Sequence, residues 1–320
     1  KVNFEILQNM AQILDENNFD SLWIPDHLFN AVGSGPSNFA SNEDFRKDAF
    51  ESWTTLSALS SITKKIKLSN IVTCNLFRHP SLLAKMASTL DNISNGRLIL
   101  GIGAGWFKPE CDAYGIPWKK YHDRVKMLEE SLTIINLLWA KNQSSFNGEF
   151  YKLDNAYLEP KPIQKPYPKL LIGGGGVKMT LNIVAKYADM CNFEGWGGSI
   201  QGYIDKTRIL ENHCDNVGRN INEIEKSWCT EFSVSRNKDE IETIKHKIKN
   251  DPGLNKRSGA DIVGSPDECA SKIGEWIDGG VEHFVFQFIY GDKTDPMKTF
   301  VEDVQGVWNS FSFSSICLGR

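Results

Sequence analysis

The sequence of 320 residues lacks several features that would assign it to a simple class of protein. It contains no apolar run of about 18 residues, so we expect no segment that spans a membrane. Lys and Arg number 36 while Asp and Glu number 40, and the net charge of -4 argues against nucleic acid as a partner. Hydrophobic residues make up 41% of the chain, which is too high a share for a disordered protein.

Cysteine and histidine are present, but not at the spacings that hold metals. The seven cysteines are scattered and include no C-x-x-C pair, so we expect reduced thiols in a cytoplasmic protein. The six histidines form neither H-x-H nor H-E-x-x-H, and the G-x-S-x-G elbow of serine hydrolases is absent. A metal site is therefore not expected, and a barrel hydrolase without flavin is the least favoured function.

Short apolar segments alternate with amphipathic ones along most of the chain, and this alternation predicts a parallel sheet. The sheet is either a (β/α) barrel or a doubly wound open sheet. An open sheet that binds a dinucleotide needs a third glycine where Trp106 stands in Gly101–Trp106, so we favour an α/β fold of the (β/α)8 TIM-barrel type. The predicted strands cover residues 21–24, 66–73, 98–102, 169–172, 190–193, 228–234 and 281–289.

The pattern contains seven strands, whereas a (β/α)8 barrel needs eight. Because Lys1 leads directly into a helical pattern, we expect this chain to lack the first strand of the barrel. Asn147–Gly148 is a strong hairpin signal and predicts a hairpin inserted within residues 142–168. The sequence thus predicts a single barrel domain over residues 1–309 and an irregular tail at residues 310–320.

The chemistry of such barrels lies where the strands end, and two stretches at predicted strand ends carry polar side chains. His27 follows the first predicted strand, and imidazole can give or take a proton near neutral pH. Asp26 can orient this ring or bind a ligand, although a helix cap beside a packed histidine is an equally good interpretation. Thr73, at the end of the next strand, can hydrogen-bond a ligand or cap the following helix.

Two further strand ends are rich in glycine, which allows the backbone to approach a ligand closely. The first comprises Gly103, Ala104 and Gly105, followed by Trp106, whose ring offers a stacking face. The second comprises Gly173, Gly174, Gly175 and Gly176 before a predicted helix, where backbone N–H groups and the helix dipole favour an anion. We therefore predict a phosphate cradle there, because a merely flexible loop of four glycines carries a high entropic cost.

Taken together and in this order, these stretches resemble the luciferase-like monooxygenase family. The resemblance extends over nearly the whole chain, and its most specific part includes Gly103-Ala104-Gly105-Trp106, which is most similar to the branch that uses the deazaflavin coenzyme F420. The matching runs are Phe19–Leu28, Phe77–Pro80, Leu83–Ala87, Leu90–Asp91, Ser94–Arg97, Leu100–Trp106, Ala113–Ile116, Ile172–Gly176, Ala185–Asp189 and Gly264–Glu268.

The resemblance implies an oxidoreductase with a luciferase-like barrel that binds F420 or, as the alternative, FMN. It implies that His27 is the catalytic proton donor or acceptor and that the cofactor phosphate lies on the glycines of Gly173–Gly176. It also implies a non-prolyl cis peptide bond, which we expect at Asn70–Ile71. The cofactor residues that it implies are Asp26, Asn70, Ile71, Thr73, Gly103, Ala104, Gly105, Gly173, Gly174, Gly175 and Gly176.

Three functions stay open from the sequence. The favoured one is hydride transfer between F420 and a small organic substrate. The second is an FMN-dependent monooxygenase that needs molecular oxygen and a flavin reductase partner, and the third is a flavin-binding protein without catalysis. The resemblance also implies a homodimer, and Trp106 replaces the carboxylate found in the family's glucose-6-phosphate dehydrogenases, which argues against that substrate. Residues 30–41, rich in Gly, Ser and Asn, predict a mobile lid.

Overall fold

The computed structural model describes residues 3–31, 46–47, 49–193, 198–250, 262–288, 295–308 and 315–317. The predicted lid and most of the predicted tail lie outside these residues. Strands β1 to β12 are Ser21–Ile24, Lys67–Asn70, Thr73–Cys74, Leu98–Gly103, Ser144–Asn147, Lys152–Ala156, Leu170–Gly173, Met190–Asn192, Glu225–Val234, Ile262–Gly264, His283–Phe288 and Ser315–Cys317. A two-residue antiparallel pairing, Asn30–Ala31 with Arg46–Lys47, lies outside this numbering.

The helices lie between these strands, and their ends carry the capping residues that the sequence offers. His79 caps the helix that begins at Pro80, and Ser265 with Glu268 forms a capping box around Pro266. Helices α1 to α9 are Phe4–Glu16, Ser52–Ile62, Pro80–Ile93, Lys108–Ala113, Tyr121–Ala140, Thr180–Tyr187, Ile200–Val217, Lys238–Asn250 and Pro266–Asp278. The last helical segment runs through Asp295–Thr299, Phe300–Val304 and Gln305–Trp308.

The strands form a curled parallel sheet whose pairings return to their starting point. The order is β8, β7, β4, β2, β1, β12, β11 and β9, and β9 pairs again with β8. Two shorter strands extend this ring, since β3 pairs with the end of β4 and β10 with the end of β9. The hairpin of β5 and β6 is antiparallel and separate from the sheet. A curled sheet of this kind brings the carboxyl ends of all its strands to one mouth.

The expectation of only seven strands is wrong, because Ser315–Cys317 supplies another parallel strand between β1 and β11. It pairs Ser315 with both Ser21 and Val285. The prediction of an irregular tail is therefore wrong for these three residues. The prediction that the chain lacks the first strand of the barrel is not confirmed. The eightfold strand–helix alternation of a (β/α)8 barrel stays a prediction, since within the described part of the chain no helix follows β12.

The sheet separates two apolar clusters, because side chains alternate between its faces. On the outer face, Trp228 of β9 stacks on Trp276 of α9 with ring centroids 3.6 Å apart. The inner cluster is smaller and fills the space that the curled sheet encloses. Its members are Trp23, Ile99, Leu171, Met190, Cys229 and Val285, with Ile71 and Val72 packed against them. The inner cluster thus forms a floor between the two mouths of the sheet.

Within the described residues, no helix combines the length and the apolar character needed to cross a membrane.

Candidate active site

His27 is held by a buried carboxylate that the sequence analysis did not single out. Its Nδ1 lies 2.8 Å from Oε2 of Glu110, which is 1% exposed and stands in α4. The other oxygen of Glu110 accepts the backbone N–H groups of Leu28 and Phe29 at 2.7 and 3.3 Å. One carboxylate therefore fixes both the backbone after β1 and the orientation of the imidazole. Because a carboxylate accepts, Nδ1 carries the proton and Nε2 is left for a ligand.

Aromatic rings surround the rest of His27. The exposed ring of Trp106 meets it edge-on with centroids 5.7 Å apart, and Phe107 does so at 6.2 Å. Trp106 and Phe107 in turn lie 5.2 Å apart. This wall removes water from one side of the imidazole and leaves the ring only partly exposed.

Asp26 does not orient His27, contrary to one of the roles that we considered for it. Its buried carboxylate accepts two bonds from the guanidinium of Arg78, at 2.6 and 3.0 Å. It also accepts the hydroxyl of Ser52 at 2.6 Å and the backbone N–H of Cys74 at 2.9 Å. The carboxylate thus joins the ends of β1 and β3 to helix α2, and its four acceptor sites are filled by the protein itself.

Arg78, the ion-pair partner of Asp26, keeps its charge although its guanidinium is buried. Burial on its own lowers the pKa of Arg78, but hydrogen bonds to Asp26 and Glu51 outweigh it and raise that pKa above its ordinary value. Burial likewise acts to raise the pKa of Glu51, and bonds from Thr54 and Arg78 bring it below its ordinary value. Arg78 and Glu51 are therefore both charged at neutral pH.

The segment after β2 contains a non-prolyl cis peptide bond, but one residue later than expected. It joins Ile71 to Val72, whereas we expected it at Asn70–Ile71. The N–H of Ile71 still bonds to the carbonyl of Ile24 at 3.1 Å, so the parallel ladder with β1 includes this residue and the irregularity follows it. Asn70 is buried and donates to the same carbonyl from its side chain, also at 3.1 Å. Thr73 is fully buried, 3.5 Å from the amide oxygen of Asn70.

Glycines at two neighbouring strand ends make room for Val72. A side chain at Gly103 or Gly173 would meet the methyl groups of Val72 at 2.8 Å. Gly105 has a φ of +80°, and a Cβ there would lie 3.0 Å from Sγ of Cys74. Burial raises the pKa of the Cys74 thiol to about 12, so it is a packing residue and not a thiolate. Ala104 is half-buried and packs on the outer core.

The four-glycine loop is enclosed by polar side chains that the sequence analysis did not connect with it. A Cβ on Gly176 would meet the hydroxyl groups of Tyr121 at 2.1 Å and Thr180 at 2.7 Å, and these hydroxyls lie 3.1 Å apart. A Cβ on Gly175 would lie 2.6 Å from Nζ of Lys206. A side chain at either glycine would displace these polar groups, and the loop precedes helix α6.

Not every amide of this loop is available to a ligand. The N–H of Gly174 donates to the carbonyl of Asn192 at 2.9 Å, which ties the loop to the end of β8. Gly174 has a φ of +129°, a backbone conformation that favours glycine. The amide of Gly174 therefore holds the loop in place. Lys206, Tyr121 and Thr180 flank the two glycines that follow it, Gly175 and Gly176.

Arg124 lies behind this cradle on helix α5. Its guanidinium stacks on Trp118, 3.9 Å from the ring centroid, and is 5.8 Å from the centroid of Tyr121. Its Nε is buried and, among the described residues, has no hydrogen-bond partner. A buried donor without a partner next to a glycine cradle is the arrangement expected of a site that takes an anion.

The residues that sequence reasoning missed are Arg78, Glu110, Arg124 and Lys206. None of them directly follows a predicted strand, and the end of a strand is the position that indicates a site in such a sheet. Among the described residues, no group of three or more His, Cys, Asp or Glu side chains is arranged to hold a metal ion.

Comparison with known proteins gives a family. The sequence model described as luciferase-like monooxygenase matches residues 2–247. An uncharacterised protein of Mycobacterium tuberculosis is 29% identical over 191 residues, a match that covers 58% of this chain. The match spans only 64% of that relative's own length.

Two relatives that match along most of the chain carry different cofactors in their names. One is an F420-dependent glucose-6-phosphate dehydrogenase of Amycolatopsis mediterranei, 26% identical, with 91% of this chain and 90% of the relative covered. The other is an FMNH(2)-dependent dimethylsulfone monooxygenase of Pseudomonas putida, 27% identical, with 91% and 76% covered.

A solved structure shows the same fold. An F420-dependent secondary alcohol dehydrogenase in complex with an F420-acetone adduct superposes with a TM-score of 0.79 at 20% identity, over 96% of each chain. The fold and the match over residues 2–247 lead to one conclusion: this chain belongs to the luciferase-like monooxygenase family.

Proposed function

We propose that this protein is an oxidoreductase that binds coenzyme F420 and transfers a hydride between it and a small organic substrate. The observation that carries the proposal is the pairing of His27 with buried Glu110 at the same mouth of the sheet as the glycine cradle. The relatives named for F420 and for FMN support a cofactor of this chemical type.

The residues at this mouth fit a phosphate-bearing cofactor. Gly175 and Gly176 carry no side chain, which lets the polar ends of Lys206, Tyr121 and Thr180 approach the backbone of the loop closely. Arg124 adds a buried cation whose Nε has no hydrogen-bond partner among the residues that the structure describes. We infer that these groups bind the phosphate, and that Asn70, Ile71, Thr73 and the turn of Gly103, Ala104 and Gly105 line the ring.

When bound, F420 supplies the hydride chemistry, at C5 of its deazaflavin ring. The protein supplies the proton. With Nδ1 bonded to Glu110, the neutral imidazole of His27 accepts a substrate proton at Nε2 or, when charged, returns one there. Asp26 acts through position, since its bonds to Arg78 and Cys74 hold the backbone from which His27 projects.

The role of His27 is tested by two variants. We expect His27→Ala to lower turnover by about 100-fold or more while changing cofactor affinity less than about 3-fold, because the ring moves a proton and does not hold the phosphate. Glu110→Gln should also lower turnover more than cofactor affinity, because the amide no longer fixes the imidazole as the carboxylate does through Nδ1. Equal losses of turnover and cofactor affinity in His27→Ala would contradict the role.

A second function is favoured by the FMNH(2)-dependent relative, namely monooxygenation with FMN, oxygen and a separate flavin reductase. The absorbance spectrum of the purified protein and fluorescence titrations with each cofactor separate the two, because flavin and deazaflavin absorb at different wavelengths. Tight binding of FMN alone would replace the first proposal by the second. Binding without turnover with any acceptor would support the non-catalytic alternative. A homodimer is part of the proposal and is tested by its mass in solution.

A further inference from the structure

A buried amide lies on the inner face of the sheet. Gln287 of β11 is 3% exposed, and within the part of the chain that the structure describes neither its Nε2 nor its Oε1 has a hydrogen-bond partner. A buried amide left in this state destabilises the folded protein, so its presence needs a reason other than stability.

The alternation of β11 shows which way this amide points. Val285 belongs to the inner cluster, whereas Phe286 and Phe288 pack outside against Phe300, with centroids 5.4 and 6.5 Å away. Gln287 is two residues beyond Val285 and therefore lies on the inner face, one layer closer to the mouth that contains His27.

The neighbouring strand places two more polar side chains on the same face. Glu231 of β9 is in register with Gln287, and Ser233 follows it two residues later. Both are buried, and no described residue forms a hydrogen bond with the hydroxyl of Ser233. An amide, a hydroxyl and a carboxyl group thus lie on the inner face of the sheet, above Cys229 and Val285 of the inner cluster.

We propose that Gln287, Ser233 and Glu231 form a substrate subsite that binds an uncharged polar group, an amide or a hydroxyl, able to donate and accept hydrogen bonds. An uncharged group fits this set better than an anion, because the amide of Gln287 and the hydroxyl of Ser233 each donate and accept, and Glu231 already places a carboxyl group on the same face. The subsite deepens the proposed function and rests on it, since it names the class of substrate for the same mouth of the sheet.

A matched pair of probes tests the ligand class. Butanamide and butanoate share a carbon skeleton and differ in charge, and saturation-transfer NMR detects either of them on the purified holoprotein. We expect a signal from butanamide at least 10-fold stronger than that from butanoate, and its loss in Gln287→Met, which keeps the side-chain volume. Equal or stronger binding of butanoate, no binding of either probe, or an unchanged butanamide signal in Gln287→Met would overturn the proposal.

Thermal unfolding adds a readout that needs no ligand. In the absence of the probes, Gln287→Met should raise the midpoint temperature of thermal unfolding by about 2 °C, because an apolar group replaces an unpaired buried amide. Gln164 is the matched control: its Nε2 donates to Asp91 at 2.6 Å and to the carbonyl of Leu98 at 2.8 Å, so Gln164→Met should lower the midpoint. A lowered midpoint in Gln287→Met would show that this amide is structural and would contradict the proposal.

The failure of this proposal is distinguishable from failure of the proposed function. Cofactor titrations report on the glycine cradle, which Gln287 does not touch. A protein that binds F420 but shows no dependence of butanamide binding on Gln287 would retain the function and lose the subsite.

Discussion

The two mouths of the curled sheet differ in how their polar groups are satisfied. At the carboxyl mouth, Asp26 and Glu110 are paired, but Gln287, Ser233 and Nε of Arg124 are buried without hydrogen-bond partners among the described residues. At the amino mouth, charged side chains neutralise one another. The inner cluster, with Trp23 at its centre, lies between them.

The amino mouth contains a cavity of about 330 Å³ lined mostly by charged residues. Glu225 lies 3.0 Å from both His283 and Lys169, and Lys226 pairs with Glu282. These contacts join neighbouring strands and need no ligand to complete them. From this difference we infer that the paired groups stabilise the sheet and that the unpaired groups of the carboxyl mouth bind a ligand.

The largest effect on stability is expected when a buried ion pair at the carboxyl mouth is broken. Asp26→Asn leaves Arg78 buried with less compensation, and we expect the free energy of unfolding to fall by about 3–5 kcal/mol. Chemical denaturation of both proteins measures the difference. The exposed pair of Lys108 and Asp112 is the control, and Lys108→Met should change stability by less than about 0.5 kcal/mol. Similar losses in the two variants would remove the distinction between buried and exposed charge.

Breaking an ion pair at the amino mouth should have a smaller effect on stability, and this effect depends on pH. Burial acts to raise the pKa of Glu225, but His283 and Lys169 bring it down to about 2 from an ordinary 4.5. A lowered folded-state pKa stabilises the protein fully above pH 4.5, and this stabilisation is lost as the pH falls towards 2. Glu225→Gln should therefore lower the free energy of unfolding by at most about 3 kcal/mol at pH 7.

Urea denaturation at a series of pH values checks this prediction. The gap between wild type and Glu225→Gln should narrow as the pH falls from 4.5 towards 2, because protonation removes the same charge in the wild type. A gap that stays constant over this range would show that the pair with His283 does not set the stability of this mouth.

The sequence predicted the strands and turns that depend on residues close together in the chain. The strand Ser21–Ile24 coincides with its apolar run, and the ends of the glycine loop follow from the strand before it and the helix after it. The strand Ser315–Cys317 was missed, since three residues carry no period and its partners in β1 lie almost a chain length away. The cis bond was misplaced by one residue because only the ladder with β1 shows where regular pairing ends.

The site was predicted less completely than the fold. His27 and the glycines could be predicted as candidates because they follow strands, whereas Glu110 lies 83 residues from His27 and Arg78 lies 52 residues from Asp26. Contacts over such separations leave no spacing that a single sequence can reveal. The unpaired state of Gln287 is likewise a property of its surroundings and not of its neighbours in the chain.

The central claim is that the glycine cradle at the carboxyl mouth binds a phosphate-bearing cofactor, and fluorescence titration with F420 and FMN tests it most directly. The variant is Gly176→Ala, whose methyl group would collide with the hydroxyls of Tyr121 and Thr180; Gly306→Ala, where a Cβ meets nothing within 4 Å, is the control. We predict that wild type and the control bind F420 more tightly than FMN and that Gly176→Ala binds at least 10-fold more weakly. Equal affinity in Gly176→Ala and wild type, or no binding of either cofactor, would contradict the account.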